Sequence, residues 1–234
     1  MIPGRKIPAD GTEQEASIEA GNVTLQGTLG MPAGAVSVVL FAHGSGSSRH
    51  SPRNRYVAQV LRAAGIGALL FDLLTPDEET IDEASGELRF NIPFLATRLV
   101  EATRWLMRQP DMAGMRLGYF GASTGAAAAL VAASKLRANE IGAIVSRGGR
   151  PDLAGDALAR VTAPTLLIVG ANDEPVIGMN RRALAQLGSG VKRMHIVPRA
   201  THLFEEPGAL EEVARLAAGW FETHLVPTTG RSAA

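Results

Sequence analysis

Apolar and polar positions alternate in the first part of the chain and later give way to short apolar runs. The alternation over 15–20 and 23–29, on either side of Gly21-Asn22, predicts a β-hairpin with a two-residue turn. The later runs are nearly continuous, which is typical of strands buried on both faces. They predict strands at 36–42, 66–71, 115–120, 141–146, 164–169 and 191–197.

Segments with helical periodicity separate these runs. Ser51-Pro52 is a typical helix start, and Asn91 is a candidate cap for a helix that Pro110 stops. The acidic stretch 76–90 carries no clear periodicity and is predicted to be a solvated loop. The predicted helices occupy 52–64, 92–109, 126–136, 181–187 and 207–224.

Strands that alternate with helices imply parallel βαβ units with right-handed crossovers. We therefore expect an α/β three-layer sandwich around a mostly parallel, twisted sheet of about seven or eight strands. One domain should cover 15–225, between flexible segments at 1–14 and 226–234. The short connection between the strands at 141–146 and 164–169 leaves no room for a large lid.

Gly121-Ala122-Ser123-Thr124-Gly125 matches G-x-S-x-G between a predicted strand and a predicted helix. In a nucleophile elbow this pattern lifts the serine hydroxyl on a strained turn, and the two glycines prevent collisions with neighbouring backbone. The alternative is a turn without chemistry, because the chain has 26 glycines. An acid and a histidine that follow in this order, each just past a strand, would favour the nucleophile.

Asp173 and His202 occupy such places, after the strands at 164–169 and 191–197. Ligand-binding groups of parallel sheets lie beyond the carboxyl ends of the strands, so both are expected near Ser123. A carboxylate can fix the tautomer of an imidazole that acts as a base. Asp173 could instead cap a helix, and Glu174 and Asp152 are rival acids. The other histidines precede the serine or lie inside predicted elements: His43, His50, His195 and His224.

His43-Gly44-Ser45-Gly46 follows the strand at 36–42 and is a candidate oxyanion loop. The backbone N–H groups of Ser45 and Thr124 are the expected donors to an oxyanion. Arginines in two nearby loops, Arg49, Arg53 and Arg147, are candidates for binding a carboxylate or phosphate of the substrate. Solvated loop cations are the alternative.

Composition removes several other functions. Lys and Arg together number 23, as do Asp and Glu, so no net field favours nucleic acid or anionic lipid. There is no cysteine, and neither G-x-x-x-x-G-K-[ST] nor G-x-G-x-x-G occurs, so we expect no metal and no cofactor. No apolar run approaches the roughly 20 residues of a membrane span, and a cytoplasmic location is expected.

Taken together, the four motifs resemble the α/β-hydrolase superfamily, in particular its compact branch related to dienelactone hydrolase, over roughly 15–223. The resemblance implies hydrolysis of a small-molecule ester, with Ser123 as nucleophile, His202 as base and Asp173 as orienting acid. Dienelactone hydrolase itself carries a cysteine nucleophile, so Ser123 favours a serine esterase. An acyltransferase and a non-catalytic binding protein remain alternatives, and a homodimer paired through edge strands or the last helix is left open.

Overall fold

The computed structural model describes residues 13–225, whose strands assemble into a single sheet. The strands are β1 (Glu13–Ala20), β2 (Val23–Gly30), β3 (Ser37–Ala42), β4 (Gly67–Phe71), β5 (Arg116–Ala122), β6 (Ile141–Arg147), β7 (Thr165–Gly170) and β8 (Lys192–Val197). The helices are α1 (Pro52–Ala63), α2 (Pro76–Ser85), α3 (Ile92–Met107), α4 (Thr124–Lys135), α5 (Glu174–Gln186) and α6 (Ala209–Leu225). Two 3₁₀ segments, Pro110–Met112 and Pro151–Arg160, complete the described elements.

The eight strands lie in the order β1-β2-β4-β3-β5-β6-β7-β8. The pairs β1–β2 and β2–β4 are antiparallel, and all other neighbours are parallel. This confirms the predicted hairpin and the mostly parallel sheet. β1 begins at Glu13, two residues before the predicted start of the hairpin at 15. The flexible segments expected at 1–14 and 226–234 lie outside the described residues, except for Glu13 and Gln14, which belong to β1.

Helices cover both faces of the sheet, as the three-layer prediction requires. One apolar cluster joins the sheet to α3, α4 and α5, and a second joins the other face to α1 and α6. Every residue of β3, β4 and β7 is buried. Burial on both faces explains why these strands have continuous apolar sequences instead of alternating ones.

The acidic stretch 76–90 is not the predicted loop, because it contains helix α2. Thr75 Oγ1 accepts a hydrogen bond from Glu78 N (3.2 Å), and Glu78 Oε2 accepts one from Thr75 N (2.8 Å). This reciprocal pair is a capping box, and Pro76 begins the helix in a position where proline is favourable. The helix ends at Gly86, in the left-handed conformation. The capping sequence was present, but the charge of the segment masked it.

Helix α5 begins at Glu174, seven residues before the predicted start at 181. Pro175 lies in the first turn of this helix, where its missing N–H costs nothing. Between β6 and β7 the chain forms only the short 3₁₀ segment Pro151–Arg160, in agreement with the absence of a large lid. Within residues 13–225, no helix has the length and apolar character to cross a bilayer.

The capping box gives the first prediction. Thr75→Ala should lower the free energy of unfolding by about 1 kcal/mol, because the N–H of Glu78 loses its acceptor at the helix start. Thr75→Ser keeps the hydroxyl and should stay close to the wild type. Urea denaturation followed by circular dichroism measures both variants, and equal losses for alanine and serine would contradict the capping role.

Candidate active site

Ser123 occupies the sharp turn between β5 and α4 and has an unusual backbone conformation. Its φ of 50° and ψ of −121° lie in a region that residues with a side chain rarely adopt. The carbonyl oxygen of Ser123 accepts hydrogen bonds from Ala126 N and Arg150 N, both at 3.1 Å. Strain of this kind persists only where the surroundings fix it. The expected strained elbow is therefore present at Ser123.

The two glycines of the motif allow backbones to approach closely. A Cβ at Gly121 would collide with the backbone of Ala126 in α4. A Cβ at Gly125 would collide with the carbonyl oxygens of Ala42 and His43. Helix α4 can therefore pack against β3 and β5 only because both positions lack a side chain.

Asp173 and His202 are in direct contact. His202 Nδ1 lies 2.7 Å from Asp173 Oδ2. An ionised carboxylate only accepts hydrogen bonds, so Nδ1 carries the proton and Nε2 of a neutral imidazole is left as an acceptor. Asp173 stands at the N-cap position of α5, yet its side chain makes no capping bond to that helix. The structure thus favours the imidazole partner over the helix cap that the sequence left open.

The rival acids are placed differently. Asp152 pairs with Arg150 through bonds of 2.9 and 2.8 Å. The Arg150 guanidinium holds the pKa of Asp152 below its usual range. Glu174 is the first residue of α5, next to Asp173 in the chain. Among the candidate acids, only Asp173 is hydrogen-bonded to His202.

Ser123 and His202 line one cavity at the carboxyl end of the sheet, with a volume of about 250 Å³. The serine follows β5, and the histidine follows β8. The structure therefore brings Ser123 and His202 to the same cavity, and Asp173 contacts His202. The remaining lining residues are Gly44, Ser45, Ser47, Ser51, Arg53, Ala122, Arg147 and Leu203.

The candidate oxyanion loop contacts the elbow, and one of its two expected donors is already hydrogen-bonded. Ser45 N donates a hydrogen bond of 2.9 Å to Thr124 Oγ1. This contact joins the residues that carry the two expected donors, Ser45 and Thr124. An oxyanion bound at Ser45 N would have to share this N–H with the Thr124 hydroxyl or displace that hydroxyl.

His43 holds the oxyanion loop, a role that sequence reasoning missed. Its Nδ1 lies 2.9 Å from Gly44 O, and its Nε2 accepts a bond of 3.1 Å from Leu73 N. The ring is buried, and desolvation lowers its pKa despite the Gly44 hydrogen bond and the nearby Asp72 carboxylate. A neutral His43 thus ties the loop to the end of β4. Its position directly after β3, at the carboxyl end of a strand, could have indicated this role from the sequence.

The three predicted substrate arginines have different surroundings. Arg53 and Arg147 line the cavity of Ser123. Arg49 instead pairs with Asp72, to which its backbone N also donates at 2.7 Å, and it lies 3.9 Å from Glu15. These carboxylates neutralise Arg49, and Arg49 does not line the cavity. Arg53 does line it, although Arg53 pairs with Glu205 at 3.0 Å.

A second cavity of about 330 Å³ lies on the other side of the oxyanion loop. It shares Gly44, Ser45 and Ser47 with the first cavity. Leu73, Leu74 and Leu95 supply apolar lining, and α2 contributes acidic groups. Burial, Asp72 and Glu83 raise the pKa of Glu79 in this wall. The sequence did not indicate this cavity, since the acidic segment was predicted to be a loop.

The buried His43 leads to a prediction about pH. His43→Ala should cost about 1–3 kcal/mol of unfolding free energy at pH 7.5, because Leu73 N and Gly44 O lose their partner. The folded protein protonates His43 less readily than the unfolded chain does, so this stabilisation is full above the unfolded pKa of about 6.5 and is lost as the pH falls below it. Urea titrations at pH 7.5 and 5.0 should show a smaller deficit at pH 5.0, and an unchanged deficit would contradict a neutral His43.

No group of three or more His, Asp or Glu side chains within residues 13–225 is arranged to hold a metal ion.

No family model matches the chain. Two proteins from strains of Mycobacterium tuberculosis, which carry the provisional name phosphoribosyl transferase, are 57% identical to it over 213 residues. This match covers 91% of the chain but 47% of each relative, so the chain spans about half the length of the curated relatives it matches.

Solved structures match over nearly the whole chain. The crystal structure of a dienelactone hydrolase from Anabaena variabilis is 59% identical, covers 92% of this chain and 99% of its own, and superposes with a TM-score of 0.89. An esterase from Pyrococcus furiosus shares the fold at 19% identity, with a TM-score of 0.73 over 96% of this chain and 97% of its own. A cold-adapted esterase from an Arctic metagenomic library also shares it, at 18% identity, with a TM-score of 0.72 and coverages of 92% and 94%. The chain therefore belongs to the dienelactone-hydrolase-related branch of the α/β-hydrolase superfamily.

Proposed function

We propose that this protein is a serine hydrolase that cleaves carboxylic esters of small molecules through an acyl-enzyme on Ser123. The observation that carries the proposal is the cavity shared by a strained elbow serine and an imidazole whose Nδ1 lies 2.7 Å from a carboxylate. A serine hydroxyl is a weak nucleophile unless a base takes its proton. The Nε2 of His202 is available for that task, because Asp173 occupies Nδ1.

The proposed reaction has two steps. Ser123 Oγ attacks the ester carbonyl while His202 accepts its proton, and the same proton then goes to the departing alcohol. Water, deprotonated by His202, attacks the acyl-enzyme in the second step and releases the acid. The N–H groups of Thr124 and Ser45 would stabilise each oxyanion, with the N-terminal dipole of α4 contributing at the same place.

The relatives bear on this proposal to different extents. The dienelactone hydrolase matches this chain along almost its full length, and a lactone is a cyclic ester. Its name therefore supports acyl chemistry on esters. The provisional name of the mycobacterial relatives describes proteins of which this chain matches less than half, and nothing in the described site favours phosphoribosyl transfer. We therefore do not extend that name to this chain.

Removing the nucleophile should abolish the activity. Ser123→Ala should lower kcat for p-nitrophenyl acetate or butyrate by several orders of magnitude, with unchanged folding. Ser134→Ala is a matched control, because Ser134 lies in the same helix α4, is absent from the cavity lining and bonds only to Val131 O among the described residues. Equal rates for wild type and Ser123→Ala would exclude the acyl-enzyme. Product analysis with an added alcohol separates hydrolysis from acyl transfer.

The acid can be tested independently of the nucleophile. Asp173→Asn should lower kcat by about 10³–10⁴-fold, because an amide that donates to Nδ1 selects the wrong imidazole tautomer. Asp152→Asn changes a rival acid that pairs with Arg150 and should leave kcat within a few-fold of wild type. Stopped-flow or steady-state assays on the same ester measure both. A large loss for Asp152→Asn with none for Asp173→Asn would reverse the assignment.

A further inference from the structure

Residues 147–150, which begin at the end of β6, form a short loop that is bonded to the proposed nucleophile; we call it the clamp loop. Arg147 O accepts a hydrogen bond of 3.2 Å from Ser123 N, and Arg150 N donates one of 3.1 Å to Ser123 O. The backbone of Ser123 is thus held at both its N–H and its carbonyl group. Because the φ of Ser123 is strained at 50°, these bonds help to maintain the turn.

The clamp loop also contacts the imidazole segment and the strand that leads to the acid. Gly148 has a φ of 51°, and a Cβ there would lie 2.9 Å from His202 O and 3.6 Å from His202 Cε1. Gly148 N donates a hydrogen bond of 2.8 Å to Ile168 O in β7, the strand before Asp173. A displacement of this loop would therefore alter the surroundings of Ser123, His202 and the end of β7 at once.

Asn180, in α5, bonds to Gly149, the remaining residue of the clamp loop. Its Nδ2 donates hydrogen bonds to Gly149 O at 2.9 Å and to Val176 O, one turn earlier in the same helix, at 2.8 Å. Both partners are carbonyl oxygens, which only accept, so the amide nitrogen must face them. Asn180 is completely buried. Gly149 also packs tightly against α4, since a Cβ there would lie 2.6 Å from Ala126 Cβ.

The energetics of Asn180 do not favour a role in stability alone. Its Oδ1 has no hydrogen-bond partner among the described residues. A buried amide oxygen without a partner loses its hydration uncompensated, so an apolar side chain of the same size would cost less there. Helix α5 can satisfy Val176 O with its own backbone N–H groups. The bond to Gly149 O is therefore the contribution that is specific to asparagine at this position.

Asn180 lies on the helix that begins at the proposed acid. Asp173 is the N-cap of α5, and Asn180 follows it by seven residues, which is about two helical turns. Helices bend only gently over such a length, so the two residues move together. The bond between Asn180 and Gly149 therefore links the element that carries the acid to the loop that holds Ser123.

We propose that Asn180 is a positioning residue of the proposed active site, which acts through Gly149 and the clamp loop. Asn180 itself does not line the cavity of Ser123. Its bond fixes the clamp loop against α5, so that Ser123 Oγ, His202 Nε2 and the Asp173 carboxylate keep their mutual geometry. Catalytic groups displaced by about 1 Å can lose two orders of magnitude in rate. This inference rests on the proposed function and adds a residue outside its triad.

Two variants remove the bond to Gly149 in different ways. Asn180→Ser shortens the side chain, so that its hydroxyl can still bond to Val176 O, as serines in helices do, but no longer reaches Gly149 O. Asn180→Leu keeps the volume and removes both the donor and the unpartnered oxygen. Each should lower kcat for p-nitrophenyl acetate by about 10- to 100-fold and change KM by less than about threefold, because only the geometry of the reacting groups is altered.

A matched control separates positioning from stability. Thr103, in α3, is also completely buried, and its hydroxyl bonds to the Tyr119 hydroxyl at 2.6 Å and to Leu99 O at 2.8 Å. It lines neither of the two cavities. Thr103→Val removes these bonds at nearly constant volume. It should lower the midpoint of thermal unfolding about as much as Asn180→Ser does, yet leave kcat within about twofold of the wild type.

Proton NMR tests the positioning role without turnover. A histidine Nδ1–H that is hydrogen-bonded to a carboxylate gives a resonance far downfield of the amide signals, and His202→Ala identifies this resonance by removing it. Asn180→Ser should shift or broaden the resonance, because α5 carries Asp173 and is no longer fixed to the clamp loop. Thr103→Val should leave the resonance in place.

These measurements separate the positioning role from the proposed function. If the wild type hydrolyses no ester but Asn180→Ser moves the His202 resonance, the positioning role stands and the esterase proposal fails. If esters are hydrolysed, and both Asn180 variants keep the wild-type kcat and an unchanged resonance, Asn180 is only structural and the esterase proposal stands. A loss of kcat in Thr103→Val equal to that in Asn180→Ser would also overturn the positioning role.

Discussion

The close approach of helix α4 to strands β3 and β5 is the constraint on which the rest of the site depends. Gly121 and Gly125 have no space for a Cβ, and the turn between them holds Ser123 at a positive φ of 50°. Such strain is maintained because the surrounding core leaves no alternative path for the chain. The result is a serine at the end of β5 and directly in front of the N-terminus of α4. The strained backbone and the positive end of the α4 dipole therefore both lie at Ser123, the residue that the proposed reaction uses.

Parallel strand order supplies the other groups. Since β5, β7 and β8 run in the same direction, the residues that follow them emerge at the same edge of the sheet. Asp173 follows β7 and His202 follows β8, and the two meet with a separation of 2.7 Å. The oxyanion loop after β3 emerges there too, and His43 fixes it to the end of β4. The strand order therefore brings these side chains together, although each follows a different strand.

Most of the strands could be predicted from the sequence, because buried strands have continuous apolar sequences. The runs at β3, β4 and β7 are continuous since both faces of the sheet are covered, and the hairpin alternates since it lies near an edge. Helix α2 was missed because its acidic residues suggested solvent exposure, although Asp82 is buried against Arg89. The capping-box residues Thr75 and Glu78 indicate this helix more reliably than the charge of the segment does.

The residues of the proposed triad could be chosen from their order along the chain, whereas features set by tertiary packing could not. Nothing local to Arg147 shows that it is buried without a carboxylate, or that Arg49 is neutralised by Asp72. The hydrogen bond between Ser45 N and Thr124 Oγ1 likewise joins residues 79 positions apart. These contacts decide the charge of the cavity and the state of the oxyanion loop, and only coordinates reveal them.

Covalent labelling tests the central claim most directly. After incubation with a fluorophosphonate, intact-mass spectrometry should show one adduct per chain. Fragmentation of the tryptic peptide 117–135 should place the adduct on Ser123 and not on Ser134. The His202→Ala protein should label far more slowly under the same conditions, because its serine lacks a base. A folded wild-type protein that gains no adduct, or gains it on another residue, would contradict the account.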